Sequence, residues 1–267
     1  MDWLDALILG LVQGLAEFLP ISSSGHLEIF GSILGLKLAG EEALDFDVTL
    51  HVATALSTIL VLWHEFVPLC KSFFTLKNDD NTRYVLKILL SAVPIAIVGV
   101  FLKDHVEGLF GGNLLVVGIC LIITAILLTI THWVYSRRYI TPERSITWVD
   151  ALVIGVAQAL AVFPGLSRSG MTISTGIIIG DKRSQVSRFA FLMVLVPIFG
   201  QAILNLYKFF TTDTVASVGA VPMIVGFVTA FVVGCAACKW MLDIVKKGKL
   251  VYFAFYCIAV GILCLCW

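Results

Sequence analysis

Charge is the scarcest commodity in this chain: 18 Lys and Arg face 18 Asp and Glu among 267 residues, and they cancel to a formal net charge of zero. With no basic excess and no basic tail, the electrostatic footprint of a nucleic-acid partner is missing. The seven cysteines are an odd number, and most, such as Cys120, Cys257 and Cys264, lie inside apolar runs. Cys235-Ala-Ala-Cys238 has CxxC spacing, but no second pair and no histidine stands beside it, so metal and redox roles are not indicated. These thiols read as small apolar residues. Met1 to Leu19 lacks a basic n-region and a small-residue cleavage site and carries Asp2 and Asp5. The first segment is therefore expected to stay rather than be removed as a signal peptide.

What is abundant is apolar surface. A hydrophobic fraction of 59% and a mean hydropathy of +1.00 demand several membrane spans. Long apolar segments are expected to span at about 48–63, 85–102, 114–134, 189–209, 219–240 and 250–266. Other segments are too short. A helix over 4–19 reaches only ~24 Å, less than the ~30 Å hydrocarbon core, and then meets Pro20 and a polar run. Such an arm should enter and turn back through a second short arm at 27–36. Arms at 149–163 and 173–180 repeat the plan.

The second break, Phe163-Pro-Gly-Leu-Ser-Arg-Ser-Gly-Met-Thr172, holds an arginine that no water-facing loop explains. An intramembrane guanidinium costs ~2.5–3.5 kcal/mol even on the mildest insertion scale. Arg168 among the hydroxyls of Ser167, Ser169 and Thr172, with Gly165 and Gly170 freeing the backbone, suits a phosphate or carboxylate. The alternative is an arginine that pairs with an internal carboxylate to hold helices together.

The two breaks are copies. Aligning residue 3 with residue 148 without a gap gives 13 identities in 29 positions, among them Trp3/Trp148, Asp5/Asp150, Gln13/Gln158, Ser22/Ser167, Ser24/Ser169 and Gly25/Gly170. Loops at 64–84, 135–148, 181–188 and 241–249 carry the Lys and Arg excess and are placed in the cytoplasm. Three long spans separate the copies, so the expected architecture is an all-α membrane bundle with an inverted internal repeat. Repeat one covers about 1–134 with a re-entrant hairpin at 4–36. Repeat two covers about 148–267 with a hairpin at 149–180. Their tips should meet at the bilayer midplane.

Where the copies differ, chemistry has been divided. Glu17 stands opposite Val162, Ser23 opposite Arg168, and His26 opposite Met171. One tip supplies base and nucleophile types and the other an anion clamp. Gln13 and Glu17 are four apart and share a helix face. Glu17 is as costly in an apolar run as Arg168, which makes the two electrostatic partners. His26, alone, would anchor its hairpin; beside Ser22, Ser23, Glu17 and an arginine it suits acid/base or nucleophilic work. His64, His105 and His132 sit at span ends, where interfacial placement suffices. His51, with Thr49, Thr54, Asp45 and Asp47, could line an outer entrance.

Gln13-Gly-Leu-Ala-Glu-Phe-Leu-Pro-Ile-Ser-Ser-Ser-Gly-His26 and Pro164-Gly-Leu-Ser-Arg-Ser-Gly-Met-Thr172 resemble the two signature motifs of the undecaprenyl-diphosphate phosphatases associated with bacitracin resistance, and the likeness runs end to end through Phe46 to His51. The resemblance implies an enzyme of the bacterial inner membrane that converts undecaprenyl diphosphate to undecaprenyl phosphate for cell-wall synthesis. It further implies two re-entrant hairpins, a site open to the periplasm and a divalent cation. Carried over by position, Glu17, Ser23, His26, Ser167, Arg168 and Thr172 form the functional set. Gln13 stands where many members have glutamate, and an amide oxygen is a weaker ligand for Mg²⁺ than a carboxylate.

The implied chemistry places the terminal phosphoryl on Arg168, Ser167, Ser169, Gly170 and Thr172, with Ser22 beside them and Mg²⁺ or Ca²⁺ on Glu17 and Gln13. The nucleophile is Ser23, His26 or a water directed by His26, with Ser23 preferred. Partners are a polyprenyl diphosphate and membrane lipid; the sequence leaves room for a homodimer without specifying one. A transporter or flippase is the rival class, since broken helices at the midplane are also transporter architecture.

Overall fold

The computed structural model describes residues 1–36, 41–101, 113–137, 144–211 and 218–267. Residues 37–40, 102–112, 138–143 and 212–217 lie outside them, and with them His105 and part of the loop expected at 135–148. Among the described residues there is no strand, only one isolated bridge between Arg144 and Asp181. The helices are α1 (Trp3–Ala16), α2 (Ser23–Ile33), α3 (Glu41–Val61), α4 (Trp63–Phe74), α5 (Asp80–Phe101), α6 (Leu114–Arg137), α7 (Trp148–Leu160), α8 (Arg168–Ile179), α9 (Arg183–Met193), α10 (Leu195–Thr211), α11 (Ala220–Lys246) and α12 (Val251–Cys266).

Among the described residues, four helical segments are long and apolar enough to cross a membrane: Asp80–Phe101, Leu114–Ser136, Arg183–Lys208 and Ala220–Lys246. The expected span at 48–63 takes a different form. Asp45–Val61 passes the same test only together with Trp63–Phe74, to which it is bent by 91°. Instead of a loop after residue 63, the chain continues as the amphipathic helix α4, whose Leu69 and Ser72 are buried.

The short arms form as helices of 14 and 13 residues, α1 and α7, each about 20 Å long. Both start with the same device. Asp2 accepts from the amides of Leu4 and Asp5 while Asp5 reaches back to the Asp2 amide, and Thr147 and Asp150 exchange the equivalent bonds. Both second arms are capped alike: Ser22 accepts from Gly25 N at the start of α2, and Ser167 from Gly170 N at the start of α8. Each cap satisfies an amide that the first turn leaves without a partner.

The arms are held by close helix contact. A Cβ at Gly10 would lie 2.7 Å from the Gly226 carbonyl oxygen of α11, and one at Gly155 would run into the backbone of Ser91 in α5. Small residues at such crossings let helix backbones approach where no hydrophobic driving force separates helix from lipid. So α1 packs on α11 and α7 on α5, and the two tips are carried into the middle of the bundle.

Candidate active site

The tips touch. Ser169 Oγ donates to the carbonyl of Leu19 at 3.0 Å, the thiol of Cys257 in α12 donates to the carbonyl of Pro20 at 3.5 Å, and Gly25 faces Gly165 so closely that a Cβ there would stand 2.8 Å from Cα. Two departures from ordinary backbone mark the turns. Gly165 takes φ 90°, and Ser22 takes φ 70° with ψ 101°. The second is a strained choice for a residue with a side chain, of order 1–3 kcal/mol, and such strain persists only where surroundings over-determine it.

Glu17 is the hub. Its Oε2 accepts from Ser23 Oγ at 2.7 Å and from Gln13 Nε2 at 3.1 Å, and its Oε1 lies 3.9 Å from Arg168 Nη2. The Glu17 side chain is 8% exposed and that of Arg168 30%, so the carboxylate is buried while the guanidinium is partly open. Helices α2 and α8 both begin here, at Ser23 and Arg168. Two helix N-termini therefore direct their partial positive charge at one place, the environment that favours an anion. The cavity between Glu17, Phe18, Thr54, Thr58, Arg168 and Thr172 measures about 20 Å³, room for about one water molecule.

The remaining predicted side chains are engaged within the tips. Ser22 and Ser167 are the caps already described, and each lies within hydrogen-bonding reach of the serine two residues on, at 3.4 Å to Ser24 and 3.2 Å to Ser169. Thr172 Oγ1 donates to the Arg168 carbonyl at 2.9 Å. His26 is buried, and both its nitrogens are occupied. Nδ1 lies 2.8 Å from the Ser22 carbonyl oxygen, which can only accept, so the proton sits on Nδ1 and Nε2 receives the hydroxyl of Tyr256 at 2.8 Å. The two rings stack at 5.6 Å between centroids.

Two residues enter the site that the sequence reading placed elsewhere or passed over. His51 of α3, assigned to an outer entrance, puts Nε2 3.5 Å from Glu17 Oε2, while its Nδ1 donates to the Asp47 carbonyl at 2.9 Å. Its (i, i+4) spacing from Asp47 was the available signal. Tyr256 gave none: it sits in an apolar run, and only the fold brings it to a residue 230 positions away.

These features describe a multi-pass helical membrane protein with a polar, charge-paired centre built from two duplicated helix breaks. The chain belongs to the bacitracin resistance protein BacA family, whose model matches residues 6–263. A protein named undecaprenyl-diphosphatase from Bacteroides thetaiotaomicron is 50% identical over 263 residues, covering 98% of this chain and 97% of its own. Proteins of the same name from Parabacteroides distasonis, at 50% identity with the same coverage, and from Oceanobacillus iheyensis, at 34% over 97% of this chain and 94% of its own, are also similar to it.

Proposed function

We propose that this chain hydrolyses undecaprenyl diphosphate to undecaprenyl phosphate and inorganic phosphate, the activity its relatives' name denotes, and so recycles the lipid carrier of cell-wall synthesis. The observation that carries the reading is the Ser23–Glu17 hydrogen bond of 2.7 Å set opposite Arg168 where two helices begin. It joins an activated hydroxyl to a guanidinium at a site shielded from bulk water, the requirement for attack on a phosphoryl group.

The terminal phosphoryl takes Arg168 from its ion pair with Glu17 and lies at the helix N-termini. Glu17 accepts the Ser23 proton as Oγ attacks the terminal phosphorus; the bridging P–O bond breaks, and its electron pair leaves with undecaprenyl phosphate. Glu17 passes that proton to the departing phosphate oxygen and is a carboxylate again when it deprotonates the water that attacks the phosphoserine; the proton then goes to the leaving Ser23 oxygen, and inorganic phosphate is released. The contact of His26 Nε2 with the Tyr256 hydroxyl at 2.8 Å supports giving the nucleophile's part to Ser23 and a positioning part to His26.

A divalent cation fits the donors present. Gln13 Oε1 is buried without a hydrogen-bond partner beside the Glu17 carboxylate, and oxygen ligands suit Mg²⁺ or Ca²⁺. Among the described residues no cluster of three or more His, Cys, Asp or Glu side chains could hold a metal by itself, which accords with a Mg²⁺ completed by water and substrate phosphates. Glu17 and Gln13 would hold it, and it would offset the charge of the diphosphate.

The hairpins are read as re-entrant from opposite faces of the inner membrane with the site open to the periplasm. The length of α1 and α7 and the Lys and Arg content of the loops support this.

Phosphate release from a C15 prenyl diphosphate by detergent-purified protein tests the proposal, with and without EDTA, beside Arg168→Ala and Glu17→Gln. EDTA-sensitive release that falls by at least about 10²-fold in both variants is expected. Folded wild-type protein that binds the lipid and releases no phosphate would overturn it and put the transporter first.

A further inference from the structure

A second cleft, of about 430 Å³, lies about one helical turn from the pocket at Glu17 and Arg168: Thr58 lines the first and Val61 the second along α3, and on α9 Phe191 lines the first and Arg188 the second. One wall is apolar, formed by Leu60, Leu62 and Leu242. The other carries Arg188, Lys239 and Lys246 with Glu65 and Asp243. Arg188 pairs with Glu65 at 3.2 Å and Lys246 with Asp243 at 3.8 Å. Lys239 has no carboxylate or hydrogen-bond partner among the described residues, so the cleft keeps one uncompensated positive charge.

The position of that charge identifies what it meets. Lys239 lies two turns, about 10 Å, before the end of α11 at Lys246, deeper than a solvated helix end needs. Trp240 beside it and Trp63, next to Leu62, are 53% and 52% exposed. Exposed tryptophans at the ends of membrane helices mark headgroup level. The cleft therefore presents cations at the depth of lipid phosphates and an aliphatic wall on the side of the chains.

We infer that this cleft binds the headgroup of an anionic phospholipid from the surrounding leaflet, with the phosphate at Lys239 and Lys246 and the chains along Leu60 and Leu242. The site is separate from the Glu17 and Arg168 centre and does not depend on the hydrolase reading.

Native mass spectrometry of the full-length protein, titrated with phosphatidylglycerol or phosphatidylcholine, tests it. Wild-type protein should retain phosphatidylglycerol over phosphatidylcholine. K239Q/K246Q should lose that retention by roughly 30-fold, with K239Q alone intermediate and K249Q, which removes a charge outside the cleft, near wild type. The melting temperature of K239Q/K246Q serves as the folding control and should match that of wild type. Equal retention by wild type and K239Q/K246Q, or an equal loss in K249Q, overturns the assignment. Displacement of phosphatidylglycerol by millimolar inorganic phosphate also overturns it, because the cleft would then be a site for a free anion.

Discussion

Tyr256 donates its hydroxyl to Nε2 of His26 across 2.8 Å, and the two rings stack. The last helix thereby holds the imidazole in one tautomer and one orientation, with Nδ1 turned to the Ser22 carbonyl. A histidine fixed this way is expected to support the hairpin that carries Ser23 rather than attack phosphorus. Rapid acid quench of protein turning over a labelled diphosphate should trap acid-stable phosphoserine and no acid-labile phosphohistidine. Tyr256→Phe should reduce kcat by about 3- to 10-fold, while Ser23→Ala should cost 10² or more.

Gln13 divides its amide between two tasks, with Nε2 holding Glu17 and Oε1 left without a partner. A carboxylate at this position binds Mg²⁺ more strongly than an amide oxygen does. Gln13→Glu should therefore lower the Mg²⁺ concentration for half-maximal activity, and Gln13→Ala should raise it. Metal titration of EDTA-stripped protein reads both. Identical curves for the three proteins would remove Gln13 from any metal site.

The contact between tips leaves no room for a methyl group at Gly25, where a Cβ would lie 2.8 Å from Gly165 Cα, whereas a Cβ at Gly31 on the same helix meets nothing within 4 Å. Overpacking of this kind costs about 1–3 kcal/mol or a backbone shift. Gly25→Ala should displace Ser23 from Arg168 and lower kcat by at least about tenfold, since sub-ångström placement governs such sites. Gly31→Ala should match wild type in activity and melt no lower, since alanine is the better helix former by about 1 kcal/mol.

At the base of the second hairpin, Arg144 bonds Asp150 at 2.7 Å and lies 3.8 Å from Asp181. Asp181 is 2% exposed, and neither of its oxygens has a hydrogen-bond partner. Burial, reinforced by the neighbouring Asp150 charge, pushes its carboxyl up from 3.8 to about 6. A raised carboxyl favours the folded state while protonated and loses that advantage as pH rises through 6. Asp181→Asn should therefore melt higher than wild type at pH 7.5, by roughly 3 °C, and the difference should shrink below pH 6 and vanish near pH 4. A constant difference across that range would show that Asp181 is not the titrating group.

Much of this arrangement was legible because charge is so rare in the chain. Glu17 and Arg168 stood out as isolated ions in apolar runs, and the structure pairs them. The duplicated serines and glycines disclosed two copies of one break, which the structure builds as two equivalent helix caps, and the short arms followed from length alone. The misses have a common physical cause: they depend on contacts between distant segments. Tyr256 reaches His26 only because α12 crosses behind the first hairpin, and His51 reaches Glu17 only because α3 lies along both tips. The bend between Val61 and Trp63 has neither proline nor glycine at its vertex, so no local rule for helix ends marks it.

The bond from Ser169 to the Leu19 carbonyl joins one tip to the backbone of the other. The hairpins are thus a floor rather than a pair of jaws, and the space above them now admits about one water molecule. Room for a diphosphate has to be made in the walls, where Thr54 and Thr58 of α3 face Ile198 of α10 and Phe191 of α9. A sideways parting of those helices would open a slot from the lipid to Arg168, letting the headgroup slide in while its tail stays in the bilayer.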